Sequence, residues 1–138
     1  MAYLKPPLMT RRVFNPLAMR FGLAGASTLV VARRRSGTPQ SVPVIVVDHG
    51  GARYVVSTRG ESDWVRNLRE AGRAELHTRG DVSAYSATEL PIPERPPVIA
   101  AYRAAAGATV KSYFEKLPDA ADHPVFRLDP IDGRASSA

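Results

Sequence analysis

Residues 28–59 of the 138-residue chain read TLVVARRRSGTPQSVPVIVVDHGGARYVVSTR and contain three runs rich in valine, isoleucine and threonine. The runs are Thr28–Arg33, Ser41–Asp48 and Arg53–Arg59, and turn-forming residues separate them at 36–39 and 49–51. This pattern predicts three strands joined by tight turns. In the middle run both alternating sets of residues are apolar, which predicts a strand between the interior of a barrel and a covering element.

The rest of the chain adds helices and further strands. Ser62 and Gly72 bracket a predicted helix over Asp63–Ala71, because serine is a favoured N-cap and glycine a favoured residue just past a helix. A hairpin is then predicted from the strands Arg73–Arg79 and Val82–Leu90. Two short helices follow at Pro96–Ala106 and Val110–Leu117, and a last strand is predicted at Val125–Asp129. This order predicts a mainly β fold with helices (α+β), built on an antiparallel β-barrel and not on a doubly wound parallel sheet.

Length and charge define the expected organisation. A chain of this length folds as one domain with one core. We expect a basic arm over residues 1–20, a barrel domain over residues 21–130 and a flexible tail over residues 131–138. Seven basic residues precede the first acidic residue, Asp48. The chain from Asp48 onward contains 12 basic and 13 acidic residues. This asymmetry predicts a localised anion site.

Several classes of protein are excluded. The chain has no cysteine, which excludes a disulfide scaffold and thiolate metal sites. Its longest apolar stretch, Phe21–Ala32, is too short to cross a bilayer. The absence of cysteine fits a reducing compartment, so a cytoplasmic location is expected. His49, His77 and His123 have no partners at ligand spacing, so exposed histidines and no metal site are expected. Hydrolase, P-loop and dinucleotide-binding motifs are missing, and the sequence assigns no catalytic residue.

Two short stretches have the composition of anion-binding corners. Arg33–Gly37 combines guanidinium groups, a hydroxyl and turn amides, which together can wrap a phosphate. Thr58–Gly60 ends a predicted strand just before a predicted helix, where glycine allows a close approach and the helix N-terminus favours an anion. A charged loop that is merely solvated is the alternative interpretation of the first stretch.

Residues 34–39, the next strand with Pro43, and above all Tyr54–Gly72 (YVVSTRGESDWVRNLREAG) resemble the deazaflavin-dependent nitroreductase family. The resemblance extends from about Gly22 to Leu128. It implies a split β-barrel similar to FMN-binding proteins. It also implies transfer of a hydride from the reduced deazaflavin, coenzyme F420, to a nitro-compound, a quinone or a similar activated acceptor. Chemistry supplied by a cofactor accounts for the missing acid–base constellation.

The resemblance also implies which residues hold the cofactor. These residues are Arg34, Arg35, Ser36, Gly37, Pro43, Thr58, Arg59, Gly60 and Asn67. The sequence departs from the family pattern at Gln40 and Val42 and in a shorter loop between Gly60 and Trp64. Candidates for the acceptor side of the site are Trp64, Tyr102 and Tyr113, although the first and the last also have the helical spacing of core residues.

Other functions remain open. An oxidoreductase that uses FMN, or a non-catalytic flavin- or deazaflavin-binding protein, would need the same residues. Prolines interrupt the basic arm, so we expect it to pack on its own domain or on a partner subunit over the cofactor cleft, with weak contact to a membrane surface as an alternative. A nucleic-acid binder ranks last because no recognition motif is present. We expect a homodimer that takes a small-molecule electron acceptor and no specific nucleic acid.

Overall fold

The computed structural model describes residues 26–131, so the expected arm and residues 132–138 of the expected tail lie outside the described residues. The strands in this range are β1 (Ala26–Ala32), β2 (Pro39–Ile45), β3 (Val47–His49), β4 (Ala52–Val56), β5 (Arg73–Thr78), β6 (Asp81–Glu89) and β7 (Val125–Pro130). The α-helices are α1 (Asp63–Ala71), α2 (Arg95–Ala106) and α3 (Lys111–Lys116), with short 3₁₀ turns at Ile92–Glu94, Gly107–Val110 and Ala120–Asp122. No helix within residues 26–131 is long and apolar enough to span a membrane.

The described strands form one antiparallel sheet in the order β2-β1-β5-β6-β7-β4-β3. The two edge strands, β2 and β3, follow each other in the chain with only Val46 between them. The sheet must therefore curl until its two edges approach each other. This topology confirms the predicted antiparallel barrel of the α+β class.

The middle run of the quoted segment is two strands, so the prediction of one strand over Ser41–Asp48 is wrong in this respect. The β1–β2 ladder ends at the pair formed by Ala26 and Ile45. The residues beyond it pair instead with β4, beginning with Val47 opposite Tyr54. Within residues 26–131, the chain therefore changes its pairing partner at Val46, from β1 to β4.

Packing confirms that both faces of this bent stretch are covered. Val44 and Val46 pack against the cluster inside the curled sheet, whereas Ile45 and Val47 belong to a cluster outside it. The inner cluster contains Leu29, Val31, Val55, Val65, Leu68, Ala74, Leu76, Tyr85, Phe126 and Leu128. The outer cluster joins residues of α2 and α3 to strand residues and also contains Val56, Leu90, Val98, Ile99, Tyr102, Ala106, Val110, Phe114 and Val125.

Helix α1 forms where the sequence predicts it. Val65 and Leu68 are fully buried against the inner cluster. Gly72 ends the helix with φ of +70°, a conformation that glycine adopts without steric cost, and its N–H donates to Leu68 O at 2.8 Å. Ser62 occupies the N-cap position, but its hydroxyl makes no capping hydrogen bond, and its buried Oγ has no partner among the described residues.

Strand direction brings two loops to the same end of the sheet. Four successive antiparallel pairings separate β1 from β4, so the two strands run in the same direction. The loops that follow them, residues 33–38 and 57–62, therefore lie at one end, which we call the α1 end because α1 follows the second loop. Ala26, where the described chain begins, lies at the opposite end.

Candidate functional site

The loop between β1 and β2 is a compact turn. The N–H of Arg33 donates to Thr38 O at 2.8 Å, and the N–H of Gly37 donates to Arg33 O at 2.9 Å. The hydroxyl oxygens of Ser36 and Thr38 lie 2.8 Å apart. Arg35 is exposed and makes no hydrogen bond or ion pair with any residue of the described range. Its guanidinium is thus available to a bound anion.

Asn67 on α1 anchors this turn. Its side chain is buried, with Oδ1 accepting from the backbone N–H of Arg34 at 3.0 Å and from Arg34 Nη1 at 2.7 Å. Its Nδ2 donates to Gln40 Oε1 at 2.7 Å. Arg34 Nη2 also lies 3.6 Å from the carboxylate of Asp63. In this arrangement Asn67 orients Arg34. Gln40, which departs from the family pattern, is the second residue that the Asn67 side chain binds.

The second predicted corner, Thr58–Gly60, is held at both of its ends. Ser57 is buried, its N–H donates to Pro124 O at 2.9 Å, and its hydroxyl donates to Gly60 O at 2.7 Å. Gly60 has φ of +80°, and a Cβ at this position would lie 3.5 Å from Asp122 O. The backbone is therefore close-packed on one side, in a conformation that glycine adopts readily.

Arg59 projects from this corner to Tyr113 on α3. Arg59 Nη2 donates to the Tyr113 hydroxyl at 3.3 Å, and the guanidinium carbon lies 5.6 Å from the ring centroid. The hydrogen bond from Arg59 holds the pKa of the Tyr113 hydroxyl below its ordinary value. Both side chains are accessible, so the pair offers a cation and a hydroxyl at the α1 end.

The structure thus brings most of the implied cofactor residues to one end of the sheet. Arg34, Arg35, Ser36 and Gly37 lie in the first loop, Thr58, Arg59 and Gly60 lie in the second loop, and Asn67 lies on the helix after it. Pro43 is the exception, because it is exposed on β2 opposite Thr28, towards the opposite end of the strand. The role of each of these residues stays a prediction.

The three aromatic candidates differ in their surroundings. Trp64 packs on Phe126 with ring centroids 6.4 Å apart, as expected of a core residue. Tyr102 is buried in the outer cluster, and burial raises the pKa of its hydroxyl to about 12. Only Tyr113 presents its hydroxyl beside a basic residue of the predicted site.

Sequence reasoning missed an ion-pair network that ties the second loop to the sheet. Arg69 on α1 donates to both carboxylate oxygens of Glu61, at 2.8 and 3.1 Å, and to both of Glu89, at 2.7 and 2.8 Å. Arg95 donates to Glu89 at 3.2 Å and to Leu90 O at 3.1 Å. The pair formed by Arg69 and Glu89 joins residues 20 positions apart, which no local motif marks.

The Glu61 pair predicts a loss of stability in acid. The hydrogen bond from Arg69 holds the pKa of the Glu61 carboxyl below its ordinary value of 4.5, against a smaller opposing effect of desolvation. Because the folded-state pKa is the lower one, ionised Glu61 stabilises the fold above the unfolded-state pKa, and this contribution is lost as the pH falls through the folded-state pKa. The effect is small because the pair is largely solvated. Glu61→Gln should lower Tm at pH 7, and the difference from the parent protein should shrink towards about pH 3. A difference in Tm that is independent of pH would contradict this assignment.

The histidines do not all behave as the sequence predicts. His49 is exposed and His77 is partly exposed, with Nε2 3.0 Å from Glu75. His123 was expected to be exposed, but it is fully buried, because Phe114 and the residues around Ser57 pack over it. Residues 26–131 contain no group of three or more histidine, aspartate or glutamate side chains that could hold a metal ion.

An open cavity of about 450 Å³ lies away from these residues. Its lining includes Asp48, Arg53, Tyr85 and Asp129, which belong to the end of the sheet opposite the α1 end. Arg53 donates to Asp48 at 3.0 Å and to the Tyr85 hydroxyl at 3.0 Å, so the polar groups there satisfy each other. The cavity contains none of the residues that the sequence implied for the cofactor.

Solved structures share this fold at low sequence identity. A protein of unknown function from Agrobacterium tumefaciens aligns with a TM-score of 0.63 at 21% identity, over 77% of this chain and 48% of its own. The F420H2-dependent reductase FDR-A aligns with a TM-score of 0.59 at 19% identity, over 77% and 95% of the two chains. A protein described as a domain-swapped dimer aligns with a TM-score of 0.59 at 17% identity, over 90% and 99%. This chain spans about half the length of the first protein.

These similarities confirm the predicted fold, a split β-barrel of the FMN-binding type. The profile of the F420H(2)-dependent quinone reductase family matches residues 9–117, which is most of the chain. No curated protein sequence matches it. The fold places the chain among the split-barrel proteins. The chain belongs to the F420H(2)-dependent quinone reductase family, and coenzyme F420 is its cofactor.

Proposed function

We propose that this protein binds reduced F420 at the α1 end of the sheet and reduces a quinone. The single observation that carries the proposal is the exposed guanidinium of Arg35, in a turn that Asn67 fixes through Arg34. The family name supports the quinone as acceptor. Reduction of nitro-compounds, which the first resemblance implied, is the second candidate.

The described residues fit the chemistry of F420, which carries a phosphodiester and an oligoglutamate tail. Arg35 has no acidic partner in residues 26–131, and the guanidinium of Arg34 already shares its hydrogen bonds with Asn67. The guanidinium group of Arg35 and the Ser36 hydroxyl are suitable donors to phosphate and carboxylate oxygens. The surplus of positive charge before Asp48 attracts the same anions over longer distances.

We assign the loop of residues 57–62 to contacts with the deazaflavin ring and with the electron acceptor. By the family resemblance, Gly60 and the exposed Arg59 would lie beside the deazaflavin, and Arg59 donates a hydrogen bond to the Tyr113 hydroxyl. When bound, the cofactor supplies a hydride. Conversion of a quinone into a quinol needs that hydride and one proton. The Tyr113 hydroxyl accepts a hydrogen bond from Arg59, so its own proton stays available to an acceptor oxygen.

Two further expectations stay proposals. We infer a homodimer, and the structure described as a domain-swapped dimer supports it through similarity of fold. We also keep the expected contact between residues 1–20 and the cofactor cleft or a membrane surface.

Wild-type protein should bind F420 more tightly than FMN and should oxidise F420H2 when a soluble quinone is added. The reason is that the phosphodiester and carboxylates of F420 provide more anionic groups to the basic turn than the single phosphate of FMN does. Fluorescence titration measures both affinities, and F420H2 absorbance measures turnover with a quinone or a nitroaromatic compound.

Equal or tighter binding of FMN would favour the FMN-dependent alternative. Binding of F420 without turnover on either acceptor would favour a non-catalytic cofactor-binding protein. Faster turnover with the nitroaromatic compound than with the quinone would make nitroreduction the main activity.

A further inference from the structure

His123 is buried, and both nitrogens of its ring contact backbone carbonyl oxygens. Nδ1 lies 2.8 Å from Ser57 O, and Nε2 lies 2.6 Å from Leu117 O. The ring is 0% exposed and stacks on Phe114 with centroids 4.2 Å apart. A carbonyl oxygen only accepts, so a ring with protons on both nitrogens makes both hydrogen bonds and a neutral ring makes one.

The two carbonyls belong to the two elements that carry Arg59 and Tyr113. Ser57 immediately precedes the loop Thr58–Gly60, and its hydroxyl donates to the carbonyl at the end of that loop. Leu117 follows α3, and its N–H donates to Tyr113 O at 2.9 Å. His123 therefore connects the loop to the helix through the interior, while Arg59 and Tyr113 meet at the surface.

The segment that carries His123 is itself fixed. Its N–H donates to Ala120 O at 3.1 Å, and the buried Arg95 donates to the carbonyls of Ala120 and Ala121 at 3.2 and 3.4 Å. The guanidinium of Arg103 lies 4.8 Å from the ring of Phe114, on which His123 stacks. A histidine on an anchored segment can hold its two partners in one relative position.

We propose that His123 is a positioning residue of the cofactor site. Its ring fixes the loop Thr58–Gly60 against α3 and thereby sets the placement of Arg59 relative to Tyr113. The effect on the cofactor rests on the proposed function, whereas the effect on the loop does not. His123 itself is fully buried, so it acts through Ser57 and Leu117.

The test compares His123→Phe with Phe114→Leu. The first variant keeps an aromatic ring against Phe114 but removes both ring nitrogens, and the second keeps the imidazole but removes the ring on which it stacks. Hydrogen exchange at the amides of residues 58–60 and fluorescence titration with F420 are measured for both. His123→Phe should speed loop exchange and weaken F420 binding about tenfold, or about 1.4 kcal/mol. Phe114→Leu should lower Tm and change the F420 affinity less than about twofold.

Hydrogen exchange and F420 affinity at wild-type values in His123→Phe would overturn the proposal. Equal losses of F420 affinity in the two variants would also overturn it, because global destabilisation would then explain both. Should His123→Phe not fold, His123→Gln replaces it. A glutamine amide has one nitrogen in place of two and no ring to stack on Phe114, so faster loop exchange and weaker F420 binding than in the wild-type protein are expected, and wild-type values contradict the proposal. If the wild-type protein does not bind F420, the proposed function fails, and loop exchange alone decides the role of His123.

Discussion

Replacement of Asn67 with alanine should destabilise the protein by about 2–3 kcal/mol and lower Tm by about 10 °C. The buried amide makes two hydrogen bonds to Arg34 and one to Gln40, and alanine makes none. The backbone N–H of Arg34 and the amide of Gln40 are then left without these partners in a partly buried place, which costs more than the bonds themselves contribute. The basic turn loses its attachment to α1, so F420 affinity should also fall.

Arg66→Ala is the matched control, because Arg66 lies on the exposed side of the same helix. It should change stability by less than about 0.5 kcal/mol. Gln40→Ala, which breaks only one of the three bonds, should fall between the two variants. Thermal unfolding of the three variants checks the order. An Asn67→Ala variant as stable as Arg66→Ala would show that the turn is not held by this side chain.

The features that the sequence predicts correctly are those encoded by neighbouring residues. The apolar stripe of α1 and the glycine after it are local signals, and the helix forms over Asp63–Ala71 as predicted. The alternation of apolar residues over Val44–Val47 likewise predicts two covered faces, and the two core clusters confirm it. The turn at residues 33–38 also forms as predicted, whereas the anion site expected from its charge stays a prediction.

The features that the sequence does not predict depend on residues far apart in the chain. Nothing near Val46 marks it as the point where the chain leaves β1 and joins β4, because the run is apolar throughout and both partner strands lie outside it in the sequence. His123 lies between aspartate and proline, a polar setting typical of an exposed loop, yet α3 and Ser57 bury it. Only the family resemblance predicts Asn67 as a site residue. Its contacts to Arg34 and Gln40 depend on the folded structure and have no sequence signal.

Replacement of Arg35 with alanine should weaken F420 binding by about 1.5–3 kcal/mol, the range for hydrogen bonds to charged groups. Arg35 is exposed and has no hydrogen-bond or ion-pair partner in residues 26–131, so its removal should leave Tm nearly unchanged. Arg34→Ala differs in this respect, because it also breaks a side-chain contact to Asn67 and should lower Tm. Loss of affinity without loss of stability thus distinguishes a ligand-binding arginine from a structural one.

Fluorescence titration of F420 into the wild-type protein, Arg35→Ala and Arg66→Ala at low and high salt tests directly whether the basic turn binds the cofactor. The wild-type protein and Arg66→Ala should share one Kd that rises with salt, because the turn attracts an anion. Arg35→Ala should have a Kd about 10–150 times higher, with a weaker dependence on salt. A Kd for Arg35→Ala equal to that of Arg66→Ala at both salt concentrations would show that the turn is only a solvated loop and that the cofactor binds elsewhere.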